Sequence, residues 1–132
     1  MPKLTLDGRE LSPGYTVNDL ERSIKFYTDG LGFAIDAKFE HEGKVAGVML
    51  KAGEARLGLS QDDFSKGRER VKGVGMRSYI ETTQDIHELA RQAKAAGIEL
   101  EQGPGELPWG AVGFTVTDPD GFKLTISNPT PK

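Results

Sequence analysis

Few side chains in this chain can do chemistry, and their spacing limits what that chemistry can be. There are two histidines and no cysteine among 132 residues. The absence of cysteine removes disulfides, thiolate metal ligands and cysteine nucleophiles at once. His41 lies in Glu40-His41-Glu42. In an extended chain neighbouring side chains alternate, so at most two of these three converge on one ion, and a solvated turn is the plainer expectation. His87 sits beside Ile86 and Glu88 on a helical stretch, a solvent or rim position. Ser60 and Ser127 have no histidine near them in sequence to act as a base. No G-x-S-x-G, H-E-x-x-H or G-x-x-x-x-G-K-[ST] is present. What remains is a set suited to holding a molecule. Trp109 offers a planar surface of about 150–250 Å² with one donor, Arg56 and Arg77 offer charge, and Tyr79 and Glu81 offer polar groups. Trp109 can equally plug a loop, and the arginines can equally pair with Glu54 or Glu81.

Strand alternation decides which of these side chains share a face. In Phe122 to Ser127, Phe122, Leu124 and Ile126 form an apolar set, leaving Lys123, Thr125 and Ser127 on the other face. In Ala55 to Ser60 the free face carries Arg56, Gly58 and Ser60. In Val74 to Thr82 the apolar set is Val74, Met76, Ser78 and Ile80, so Arg77, Tyr79 and Glu81 share the free face. Trp109 is expected to begin a seventh strand on the same parity as Ala111, Gly113 and Thr115. Phe39 and Met49, on neighbouring strands, are candidate pocket walls or core.

The positioning elements follow in chain order. Residues 1–9 read as a loose arm, and Glu10 to Val17 as a first strand weakened at Pro13-Gly14. Asn18 and Glu21 make a capping box for a helix whose Leu20, Ile24, Tyr27 and Leu31 form one stripe, stopped by Gly30. Phe33 to Phe39 alternates as a strand, with Phe33, Ile35, Ala37 and Phe39 on one face. Glu40 to Lys44 is a hairpin turn, and Val45 to Leu50 and Ala55 to Ser60 are further strands. Gln61 to Gly73 is charged and reads as a surface linker or lid. Beyond the Val74 to Thr82 strand, Thr82 or Thr83 caps a helix with Ile86, Leu89, Ala90 and Ala93 inward and Gly97 as its stop. Ile98 to Glu101 is a short strand, Gln102 to Pro108 a loop, and Gly110 to Thr117 a strand. Asp118-Pro119-Asp120-Gly121 is a turn in which proline presets φ and glycine accepts a positive one. A proline-broken tail closes the chain.

Charge and composition point the same way. Seventeen Lys and Arg against twenty Asp and Glu give −3, with the signs mixed. That balance argues against nucleic acid, which demands a basic face. No run approaches the ~20 apolar residues of a membrane span, and the first ten residues lack a signal-peptide core. A cytoplasmic protein with no membrane or nucleic-acid partner is expected. The chain reads as a single domain, 1–132, with module one at about 10–60, a linker at 61–73 and module two at about 74–127.

The modules repeat. Asp19-Leu20 matches Asp85-Ile86 at an offset of 66, and Arg56 to Ser60 matches Lys123 to Ser127 at 67. Each half reads strand, helix, strand, strand, strand, which implies a pseudo-twofold pair. The fold class is α+β: two βαβββ modules in pseudo-twofold arrangement, forming a curved mixed sheet around a cleft.

The run VNDLERSIKFYTDGLGF, the later TTQDIHELARQAKAAGIEL and the closing PWGAVGFTVTDPDGFKLTI together resemble the vicinal oxygen chelate superfamily, over roughly residues 10 to 127. That group includes glyoxalase I, extradiol dioxygenases, fosfomycin-resistance enzymes and bleomycin-resistance binding proteins. The resemblance implies paired βαβββ modules and a homodimer. In the enzymes it further implies a divalent metal held by His, Gln or Glu at four corners of the cleft. Carried over by position, those corners fall on Ser12, Gly58, Ser78 (or Arg77, if the extra threonine at 82–83 is an insertion) and Thr125. Strand parity favours Arg77 at the third corner. None of these side chains makes a ligand set for a divalent transition metal, so no metal and no cofactor are expected. The preferred expectation is a metal-independent small-molecule binding protein of the bleomycin-resistance type. It would sequester a drug-like or aromatic natural product through Trp109, Arg77, Tyr79, Arg56, Ser60, Phe39 and Met49, with no catalytic residue. The alternative is an enzyme: a glyoxalase-like lyase or isomerase moving a proton with Glu81, Tyr79 or Arg77, or a metal enzyme with displaced ligands.

Overall fold

The computed structural model describes residues 3–131; Met1, Pro2 and Lys132, at the outer ends of the expected arm and tail, lie outside the described residues. The first half builds β1 (Gly14–Val17), α1 (Leu20–Lys25), a π-helical turn (Phe26–Gly30), β2 (Ala34–His41), β3 (Lys44–Ala52) and β4 (Ala55–Gln61). The second builds β5 (Arg77–Glu81), α2 (Ile86–Ala95), β6 (Leu100–Glu106), β7 (Val112–Thr117) and β8 (Lys123–Ser127). Each half forms one four-stranded mixed sheet, in the orders β1-β4-β3-β2 and β5-β8-β7-β6. In both, the first strand runs parallel to the last and the remaining pairs are antiparallel.

The helix-side residues of both sheets share one core, which includes Val17, Leu50 and Leu59 from the first module and Phe114, Leu124 and Ile126 from the second. Three contacts clamp the modules together. Tyr15 stacks flat on Phe122 at 4.0 Å. The Tyr27 hydroxyl donates to Asp118 Oδ2 at 2.7 Å. Asp120 Oδ1 accepts the Asn18 amide at 3.0 Å. Gly30 has a role other than a left-handed stop: a Cβ there would run into Ile98 of the other module, and the positive φ belongs to Gly32.

Several local expectations give way to tertiary contacts. Asp19 caps α1, its Oδ1 accepting the Arg22 amide, because the Asn18 side chain instead accepts from Lys72. Asp85 caps α2, while Thr82 Oγ1 accepts the Gln84 amide one turn earlier. β1 starts only at Gly14, and β5 only at Arg77, leaving Val74 exposed. β6 extends through 102–106, where a loop was expected.

The Phe33 to Phe39 face is also interrupted. Ile35 pairs with Leu50 and Ala37 with Met49, which point to opposite sides of the sheet, so a bulge at Asp36 turns Ala37 and Phe39 away from Ile35. The β2–β3 turn holds Glu42 and Gly43 at φ of 52° and 78°, the backbone of a tight hairpin. The 61–73 linker is fastened rather than loose. Lys72 reaches Asp62 at 2.7 Å with both side chains 5% exposed, and Asn18 Oδ1 at 2.7 Å. The Lys72 hydrogen bond first, then the Phe64 amide and the charge of Arg70, hold the Asp62 carboxyl below the usual carboxylate range.

Candidate functional site

Strand register places the predicted residues on two sheet faces that carry no helix. On the first sheet, Met49 pairs with Gly58, and Gly47 pairs with both Phe39 and Ser60, so Phe39, Met49, Gly58 and Ser60 share the open face. Arg56 belongs to the same face, opposite Lys51. Its guanidinium is taken by two carboxylates, Asp36 at 3.1 Å and Glu10 at 3.5 Å, rather than by the expected Glu54. Lys51 also lies 3.8 Å from Asp36. The positive charge on this face is therefore locally cancelled.

On the second sheet Arg77 pairs with Lys123 and Tyr79 with Thr125, which puts Arg77, Tyr79, Glu81 and Thr125 on the open face. Trp109 is not in a strand. It sits in the turn closed by Leu107 and Ala111, both buried, where the Leu107 amide donates to the Ala111 carbonyl at 2.7 Å. From that turn the indole meets the Tyr79 ring edge-to-face at 6.0 Å. Tyr79 is 63% exposed and Trp109 45%, a bare aromatic pair. Lys123 is neutralised by Glu101 at 2.6 Å, which holds the Glu101 carboxyl below its ordinary value. Arg77 has no carboxylate at ion-pair distance among the described residues.

The four corners where the resemblance implies a metal can be tested side chain by side chain. Ser12 Oγ donates to Glu10 at 2.7 Å on the surface. Gly58 has no side chain, and a Cβ there would meet Met49 and the backbone at Pro13 and Gly14. Of the two candidates for the third corner, the parallel register puts Arg77 on the open face, whereas Ser78 turns to the helix side and shares a 2.5 Å hydrogen bond with the Tyr15 hydroxyl. Thr125 is buried, its hydroxyl paired with that of Thr115 at 2.8 Å. Hydroxyls already engaged with one another, a glycine and a cationic guanidinium do not fit a divalent cation. Among the described residues no three His, Cys, Asp or Glu side chains gather to hold one elsewhere. His41 is exposed at the end of β2, 3.8 Å from Glu42, and His87 is exposed on α2.

Three of the predicted residues meet at a cavity that sequence patterning did not anticipate. Arg56, Arg77 and Tyr79 line a space of about 430 Å³ between the modules, beside β1 and β5. Its walls are Tyr15, Phe33, Leu57, Ile80 and Leu124. Phe39, Met49, Ser60 and Trp109 lie outside it. Helix-side apolar residues such as Leu57 and Leu124 read as ordinary core in sequence.

Comparison with known proteins agrees with this architecture. Residues 11–126 match the family model described as the Glyoxalase/Bleomycin resistance protein/Dioxygenase superfamily. Lactoylglutathione lyase GLX1 of Arabidopsis thaliana is 32% identical over 124 residues, covering 89% of this chain and 44% of that protein. This chain thus spans less than half of that plant relative. Virulence protein STM3117 of Salmonella typhimurium is 29% identical over 119 residues, 85% of this chain and 78% of its own length. Its crystal structure superposes with a TM-score of 0.69 at 25% identity, covering 94% and 98% of the two chains. A structure from the mobile metagenome of V. Pseudocholerae, VPC_CASS1, reaches 0.72 at 21% identity, covering 98% and 100%, a likeness of fold. The duplicated βαβββ architecture, the family match across nearly the whole chain and these relatives agree: the chain belongs to the Glyoxalase/Bleomycin resistance protein/Dioxygenase superfamily.

Proposed function

We propose that this chain is a metal-independent binding protein that captures a small planar or aromatic molecule, acting as a homodimer in the cytoplasm. The observation that carries the proposal is the Tyr79–Trp109 pair, left bare on the open sheet face beside an arginine without a carboxylate partner. Aromatic rings exposed in this way offer stacking surface and little else. The open face of the first sheet, with Phe39, Met49 and Ser60, supplies the opposite wall when a second copy is brought up to it. Capture is an equilibrium: no bond is made, and affinity comes from apolar contact with few polar anchors. Arg56 contributes little charge to it, since Asp36 and Glu10 already occupy its guanidinium.

Trp109 is the only tryptophan and reports directly on its own site. Titration with a panel of planar antibiotics is expected to change its fluorescence saturably, and Tyr79→Ala is expected to weaken the response about tenfold, the loss of a stacking partner. An intact dimer that shows no response across the panel overturns the proposal.

A second reading, a glyoxalase-like lyase, is favoured by the plant relatives named lactoylglutathione lyase. It requires either a displaced metal site or proton transfer through Glu81, Tyr79 or Arg77. Stoichiometric metal retained through mild purification, with lyase activity lost on chelation, would establish it in place of the binding reading.

A further inference from the structure

The aromatic platform is charged unevenly along its length. Arg77, Tyr79 and Glu81 alternate on the open face of β5 and all three are exposed, so a charge stands one two-residue step, about 7 Å, to either side of the Tyr79 position. The Trp109 turn stands at the Glu81 end: Ser127 registers with Glu81 on one side and, on the other, with Gly113 near the start of β7. The Tyr79 and Trp109 rings cross at 79° with their centroids 6.0 Å apart. Rings set nearly square to each other make two walls of a corner rather than one flat shelf. Ring faces carry partial negative charge, so such a corner attracts a cation.

The charges around the rings favour the same sign. Glu81 ends β5 and borders a groove of about 660 Å³ that runs past the strand end towards α2, with Phe33, Ile80 and Leu89 among its apolar walls. A second carboxylate, Glu54, stands on that groove, and among the described residues no lysine, arginine or histidine lines it. Neither Glu54 nor Glu81 has a cation at ion-pair distance among the described residues. Arg77, at the other end, stands in mixed company. Lys123 registers opposite it, and the Glu101 carboxyl, held below its ordinary value first by the Lys123 hydrogen bond, also feels the Arg77 charge. The aromatic corner thus opens on a carboxylate end, while Arg77 repels a cation from the far end and sets which way round it lies.

We propose that the platform selects a cationic planar molecule, a protonated aromatic amine or an aromatic quaternary ammonium, with its ring system against Tyr79 and Trp109 and its positive charge towards Glu81. This names the ligand class of the platform and rests on the capture reading. Glu81 is then the residue that sets specificity, and the two rings supply most of the contact.

Acridine, 9-aminoacridine and acridine-9-carboxylate share one planar body and are neutral, cationic and anionic in mildly alkaline buffer. Calorimetric titration of the full chain with each therefore isolates the effect of charge. The native chain is expected to bind 9-aminoacridine about tenfold more tightly than acridine, the combined value of an exposed ion pair and a cation–π contact. The carboxylate is expected to bind more weakly than acridine. Glu81→Gln is expected to cut the tenfold preference to about threefold, the cation–π share. Tyr79→Ala is expected to weaken all three probes. Glu21→Gln, an equal loss of charge in the first turn of α1, is expected to leave the preference unchanged. Equal affinities for the three probes overturn the charge selection and leave capture by the platform standing. No binding of any probe, or full retention of all three by Tyr79→Ala, overturns the selection and counts against capture as well. Tightest binding of the anion overturns it and points to Arg77 as the selector. A preference that Glu81→Gln leaves intact, or that Glu21→Gln lowers as much, also overturns it, since the overall charge of −3 would then be drawing the cation without a site.

Discussion

At the scale of single residues, Asp118 shows how one carboxylate can hold two modules together. Its Oδ1 accepts the amides of Asp120 and Phe122, both at 2.9 Å, and its Oδ2 accepts the Tyr27 hydroxyl. Burial pushes its pKa above the ordinary carboxylate value, and the Tyr27 hydrogen bond opposes that shift. Burial likewise pushes the Tyr27 hydroxyl well up, so it remains a donor. Tyr27→Phe strands a buried oxygen and is expected to cost about 1–3 kcal/mol at neutral pH. The sign of the pH dependence follows from linkage. A carboxyl whose folded pKa exceeds its unfolded value contributes fully below the unfolded pKa and loses that contribution as pH rises through the folded one. Removing the Tyr27 donor raises the folded pKa further, so the deficit of the variant grows from mildly acid to neutral pH. Denaturant midpoints of both proteins at the two pH values check this; a deficit that is constant or larger in acid contradicts it.

At the scale of elements, the linker between β4 and β5 acts as a buckle. Its charged sequence resembles a solvated loop, yet Lys72 is buried against Asp62 and Asn18. One residue on, Gly73 lies so close to the backbone of Gly121 that a Cβ would overlap it. Gly73 and Gly75 have nearly the same positive φ, 72° and 70°, but nothing lies near Gly75. Alanine at either position carries the same backbone strain, of about 1 kcal/mol. Gly73→Ala is expected to be the more destabilising by a further ~1–3 kcal/mol, the cost of overpacking against the DPDG turn. Equal losses in thermal or denaturant unfolding would show that the linker does not dock there. The Asp36 bulge belongs to this scale as well: it frees a carboxylate to bind Arg56 and turns Phe39 onto the open face.

At the scale of the molecule, two repeats that read as separate units share one core. Tyr15 on Phe122, Tyr27 on Asp118 and Ile98 against Gly30 all cross between them. A core of this kind predicts a single cooperative unfolding transition, with calorimetric and van't Hoff enthalpies equal at fixed protein concentration. Two resolved transitions would indicate modules that fold apart. The shared core also explains where the candidate sites lie. The open faces stay exposed because the apolar faces are consumed inside, and the inter-module cavity appears where two curved sheets fail to fill the space between their first strands.

The amino-acid sequence by itself determined the repeat, the order of strands and helices, and the inward parity of Leu57, Leu124 and Ile126. Those features depend on side-chain type and on periods of 2 and 3.6 residues, which are local. Tertiary structure alone decided which residue caps each helix, that Trp109 leaves the strand to meet Tyr79, that Arg56 is neutralised while Arg77 is not, and that the linker is bound. Several of these rest on partners between about 20 and 100 residues away along the chain, such as Asp36 for Arg56, Lys72 for Asn18 and Asp120 for the Asn18 amide. Where a competing partner arrives from that far off, local propensity of a few tenths of a kcal/mol yields to it.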